Sequence, residues 1–195
     1  MNIFQNRLQK RILKRLSHDY RFPNHDVFFV IAVNSFGLEG TNMYRRLNRL
    51  PRLLLVEDDP GDLALLKFGL EQGGGEYELR VAKNGEEALD FLLKSTDRGK
   101  GHCPDLILLD LNLPKISGHD VLRAVKRNAK LRAIPIVVLT SSSARSDITT
   151  AYNEGANSYL RKPDSLNELL DLMRTIQHYW LNFTLLPTNP PAINA

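Results

Sequence analysis

Three acids, one hydroxyl and one amine stand at the ends of short apolar runs in this chain, a pattern suited to chemistry on a phosphoryl group. Leu106-Ile107-Leu108-Leu109 stops at Asp110, and Leu53-Leu54-Leu55-Val56 stops at Glu57-Asp58-Asp59. Ile136-Val137-Val138-Leu139 stops at Thr140, followed by Ser141, Ser142 and Ser143, and the weaker run Asn157-Ser158-Tyr159-Leu160 leads to Arg161-Lys162-Pro163. A carboxylate can attack phosphorus when a hard cation and an ammonium neutralise the phosphoryl oxygens, and a hydroxyl can then hydrogen-bond one of them. Crowded carboxylates also need compensation: each like-charge pair costs roughly 4 kcal/mol at about 4 Å and an effective dielectric near 20. Mg²⁺ answers that need with oxygen ligands and keeps several waters, so one or two carboxylates and a backbone carbonyl suffice. Asp59 reads instead as the cap of a helix that begins with Pro60.

The elements that carry these residues follow from periodicity. Apolar runs of four residues bounded by Pro and Gly read as strands buried on both faces. Helices are expected over residues 61–71, 86–93, 118–127, 144–154 and 165–179, the last having Leu166, Leu169, Leu170, Met173 and Ile176 on one face after a cap at Asp164 or Ser165. Strands alternating with helices give an α/β fold: a flavodoxin-like, doubly wound, five-stranded parallel sheet of order 2-1-3-4-5, with helices on both faces. That order sets Asp58 and Asp110 on neighbouring strands at the switch point, where open α/β sheets bind ligands. The Lys162-Pro163 bond is left open between cis and trans.

In these motifs the chain resembles the receiver domain of bacterial two-component response regulators. The resemblance rests on Val56-Glu57-Asp58-Asp59, on Pro104 through Pro114 around Asp110 with Gly118 beyond, on Leu139-Thr140-Ser141 and on Lys162-Pro163. It implies that Asp110 accepts phosphate from a histidine kinase. It also implies that Asp58, Asp110 and the Asn112 backbone carbonyl hold Mg²⁺, with Glu57 acting through a metal-bound water. Lys162 would contact the phosphoryl group, Thr140 would swing toward it, and Tyr159 matches the aromatic whose burial changes on activation. The long segment 94–103 and the tail from Tyr179 to Pro187 resemble single-domain regulators paired with phytochrome-type kinases. In such relatives the last helix and tail join a homodimer interface; the alternative is that Trp180 and Phe183 fold back on their own domain.

Composition sets the remaining bounds. The 195 residues divide into a basic extension (1–50), a receiver of residues 51–180 and a tail of residues 181–195. Residues 1–52 carry a net +7 and the rest −3, so the overall +4 belongs to the extension, and the receiver gives no reason to expect specific nucleic-acid binding. Phe4, Leu8, Ile12 and Leu16 among Arg7, Lys10, Arg11, Lys14 and Arg15 would make a basic amphipathic helix. A disordered extension, or translation from Met43, are the competing readings. The lone Cys103 points to a reducing cytoplasm, and no apolar run is long enough to span a membrane. Two other functions compete with the receiver. A haloacid dehalogenase-like phosphatase is disfavoured because it places a second Asp where Asn112 stands, and Asn cannot deliver a proton. A DNA-binding regulator acting through the basic extension is disfavoured by the absence of a helix-turn-helix motif.

Overall fold

Five parallel strands in the order β2-β1-β3-β4-β5 form the sheet. The computed structural model describes residues 49–97 and 103–187. The strands are β1 Arg52–Val56, β2 Glu78–Ala82, β3 Leu106–Leu109, β4 Ile136–Thr140 and β5 Ser158–Arg161. Helices α1 Pro60–Gln72, α2 Gly85–Asp97, α3 Gly118–Arg127, α4 Arg145–Asn153 and α5 Leu166–Gln177 connect or follow them. The expected order and class are observed.

Side-chain alternation along the strands makes two cores, one on each face of the sheet. Leu54, Val56, Ile107, Leu109 and Val138 pack with Ala88 and Leu92 of α2, Val121, Leu122 and Val125 of α3 and Ala151 of α4. Leu53, Leu55, Leu106, Leu108, Val137 and Leu139 pack with Leu66 and Leu70 of α1 and Leu169, Met173 and Ile176 of α5. All four β3 side chains are fully buried, which is why this strand reads as an unbroken apolar run. Each such leucine contributes roughly 1.5–3 kcal/mol relative to exposure.

The seam between α1 and α5 is close. A β-carbon at Gly69 would lie 2.7 Å from Met173 Cγ, and one at Gly73 would collide with the Gln177 amide. Gln177 Nε2 donates to the Leu70 carbonyl at 2.7 Å, fastening the end of one helix to the other.

Three helix starts are capped as the residue types suggest: Asp59, Ser117 and Ser165 accept from the N–H groups of Asp62, Asp120 and Glu168. The last helix departs from expectation. It is α-helical only to Gln177 and continues as a wider π-helical turn, His178–Phe183, in which Thr184 N–H donates to the Tyr179 carbonyl at 2.9 Å. Beyond α5, Leu181 and Leu186 join the α1–α5 core and Trp180 packs beside it, whereas Tyr179, Phe183 and Leu185 face outward. The Lys162-Pro163 bond is trans.

Upstream of β1, Arg49 forms a two-pronged pair with Asp105, Nη1 to Oδ2 at 2.7 Å and Nη2 to Oδ1 at 2.8 Å. The expected amphipathic helix and the alternative start at Met43 lie outside the described residues. Among the described residues, no helix is long and apolar enough to cross a membrane.

Candidate functional site

Register brings the acids together. Leu55 pairs with Leu108 and Val56 with Leu109, so the residues that follow β1 and β3 emerge side by side at the carboxyl edge of the sheet. Asp110 N–H donates to the Val56 carbonyl at 3.0 Å, and Glu57 N–H to the Ala82 carbonyl at 3.0 Å. These bonds extend the ladders one residue past the strands and fix where each carboxylate begins. Ligand oxygens of Glu57, Asp58 and Asp110 lie within 4.8 Å of one another, with Glu57 and Asp110 buried and Asp58 exposed. Hard oxygen donors at this spacing, open to water on the Asp58 side, fit a divalent cation.

Lys162 reaches into the cluster from the end of β5, where its N–H donates to the Thr140 carbonyl at 2.8 Å. Its ammonium donates to Glu57 Oε2 at 2.6 Å, Asp110 Oδ2 at 2.8 Å and Asp62 Oδ2 at 2.7 Å. Burial alone would lower its pKa, but the hydrogen bonds to Asp110, Asp62 and Glu57 outweigh that and raise it, so Lys162 stays charged. Glu57 responds in the other sense: burial pushes its carboxyl up to about 6, only partly opposed by Lys162.

The loop after β3 is shaped around Asp110. Asn112 N–H donates to Asp110 Oδ1 at 3.1 Å. Gly118 N–H donates to the Leu111 carbonyl at 3.0 Å, and the two backbones approach so closely that a β-carbon at Gly118 would lie 2.1 Å from the Asp110 carbonyl oxygen. Lys115, within this loop, holds a left-handed φ of 65°.

Thr140 is fully buried, and its Oγ1 accepts from Asn112 Nδ2 at 3.5 Å and from Ser142 N–H at 3.4 Å. Both are long contacts, leaving the hydroxyl weakly held. Tyr159 stands one step further out. Its ring packs against the α2–α4 core, its hydroxyl donates to the Ser142 carbonyl at 3.0 Å, and its N–H donates to the Tyr152 hydroxyl at 3.2 Å. Hydrogen bonds thus link Thr140 and Tyr159 through Ser142.

Six of the expected residues thus converge: Glu57, Asp58, Asp110, Asn112, Thr140 and Lys162. Asp62, which the strand-end reading passes over, joins them. An acid in the first turn of a helix is accounted for by the helix dipole alone, so nothing in its local sequence marks it.

Comparison with known proteins agrees with this geometry. The family model for the response regulator receiver domain matches residues 53–174. Response regulator Rcp1 of Synechocystis sp. is 38% identical over 135 residues, covering 69% of this chain and 92% of that protein. A probable methanogenesis regulatory protein, FilR2 of Methanothrix harundinacea, is 40% identical over 135 residues, covering 69% and 86%. The crystal structure of the phosphorylated cyanobacterial phytochrome response regulator RcpA superposes with a TM-score of 0.66 at 34% identity, covering 71% of this chain and 99% of that one. The Mn²⁺-bound form of Rcp1 gives 0.65 at 37% identity, covering 70% and 99%. A strand-end acid cluster around one lysine, on a 2-1-3-4-5 sheet matched by that family model, leads to one conclusion: the chain belongs to the response regulator receiver family of two-component signalling and is homologous to phytochrome response regulators.

Proposed function

We propose that Asp110 is the phosphoacceptor, taking phosphate from a phosphohistidine on a histidine kinase of phytochrome type. The observation that carries this reading is the buried Asp110 carboxylate, hydrogen-bonded at 2.8 Å to Lys162 inside a group of acids suited to a divalent cation. In the transfer, an Asp110 oxygen bonds to phosphorus as the phosphorus–nitrogen bond breaks, and the electron pair returns to the imidazole. Asp58, Asp110 and the Asn112 carbonyl would hold Mg²⁺, with Glu57 acting through a bound water. The ion would supply charge neutralisation on the phosphoryl oxygens. Lys162 contributes a second positive charge, and the Asn112 N–H keeps the Asp110 carboxylate oriented.

Phosphorylation adds charge and acceptor oxygens. The weakly held Thr140 hydroxyl is free to turn toward them, drawing the Ser142 segment and with it Tyr159. The chain itself catalyses nothing beyond gain and loss of its own phosphate. A second copy binds through α5 and the tail, where Tyr179, Phe183 and Leu185 are 53%, 45% and 72% exposed. We place the protein in the cytoplasm, with residues 1–50 as an accessory extension to the receiver.

Intact-mass spectrometry after incubation with acetyl phosphate and Mg²⁺ tests the central step. One phosphate is expected on the wild type and none on Asp110→Asn or without metal. Absence of both that gain and beryllofluoride binding by the wild type would refute the reading. Light scattering with and without beryllofluoride checks the second copy.

A further inference from the structure

We infer that Asp62 is a positioning residue that competes with the phosphoryl group for Lys162, an inference that rests on Asp110 being the phosphoacceptor. An ammonium has three N–H donors, and all three of Lys162 are engaged, by Glu57, Asp62 and Asp110. To donate to a phosphoryl oxygen on Asp110, Lys162 must release one of them.

Burial decides which. The side chains of Glu57 and Asp110 are 2% and 6% exposed, whereas that of Asp62 is 42% exposed. Stripping Glu57 of its ammonium would leave a buried carboxylate unpaired, the costly outcome for an ion pair. Asp110 is the attachment point and its own charge passes to the phosphoryl group. Asp62 can be rehydrated, and it sits in the first turn of α1, where the positive end of the helix supports a carboxylate without help. Its N–H is also pinned to the Asp59 cap at 2.8 Å, so the backbone stays in place when the side chain lets go. Asp62 thus holds Lys162 toward α1 in the unmodified protein and is the partner displaced when phosphate arrives. It also adds negative charge near the nucleophile, opposing any anionic group that enters.

The test is titration of the full chain with beryllofluoride at saturating Mg²⁺, alongside Mg²⁺ alone, for wild type, Asp62→Asn, Asp62→Glu and Asp59→Asn. Asp62→Asn should bind beryllofluoride roughly tenfold more tightly, and Asp62→Glu should return to wild-type affinity. Asp59→Asn keeps the helix cap and removes an equal charge that does not touch Lys162, so it should stay within about twofold of wild type. The side-chain nitrogen resonance of Lys162 in free Asp62→Asn should move toward its position in the beryllofluoride-bound wild type. Unchanged or weaker binding by Asp62→Asn, or an equal gain in Asp59→Asn, would overturn the inference while leaving the phosphoacceptor reading intact. A wild type that binds no beryllofluoride would bring down both.

Discussion

Strand β3 has a buried aspartate next to each end, and the two could hardly be treated more differently. At the amino end, Asp105 receives both prongs of Arg49 and the Arg52 N–H at 2.8 Å, so one carboxylate meets one guanidinium and its oxygens are satisfied. At the carboxyl end, Asp110 shares one ammonium with Glu57 and Asp62, and Asp58 stands beside them. Among the described residues, four acids face one base there, so negative charge is left over. Burial of an acid is therefore common to both ends, and what separates a fastening from a site is charge left unbalanced by the described residues around it, which a bound cation can neutralise.

The largest test of this contrast is Arg49→Ala. It leaves Asp105 buried with only a backbone donor, and should lower stability by about 3 kcal/mol in urea unfolding without preventing phosphate uptake at Asp110. Loss of uptake in a folded sample would mean that the two ends are coupled. Divalent cation should act only at the other end. At a hundredfold excess over its Kd the stabilisation should be about 2.7 kcal/mol, equal in wild type and Arg49→Ala and removed by chelator.

Asp110→Asn should destroy phosphate uptake yet raise the stability of the metal-free protein by about 1 kcal/mol, because it relieves the crowding. A loss of stability would show Asp110 to be as well compensated as Asp105. The smallest effect is in pH. Folded Glu57 keeps its proton up to about pH 6, against 4.5 as its ordinary value. The folded state then holds more protons between those values, so this contribution to stability is present below pH 4.5 and falls away as pH rises through about 6. A decline of about 1 kcal/mol across that window, absent in Glu57→Gln, is expected from unfolding midpoints in chelator.

Legibility in the sequence followed burial. Strands β1, β3 and β4 read directly as apolar runs because both of their faces are covered. Strand β2 is counted in the five but has no readable run: it is an edge strand whose exposed Glu78 and Arg80 interrupt the pattern. Strand β5, half-buried, was placed one residue early. Helix periodicity over 165–179 could not reveal the switch to a π-helical turn, since apolar residues continue through it and the deciding contacts come from Leu181 and Leu186 packing on the core. The site was readable wherever its residues end strands. Asp62 was not, because only the fold brings a helical side chain to Lys162.

The glycine seam between α1 and α5 bears on how such proteins can be recombined. Gly69 and Gly73 leave no room for a β-carbon against Met173 and Gln177, and Gln177 is fastened to Leu70. The two helices are matched surfaces, although ninety-three residues separate the end of one from the start of the other. Exchanging α5 and its tail with those of another receiver would therefore require α1 to travel with them. Because α1 also carries Asp62, such a chimera would import the donor's hold on Lys162 along with its tail.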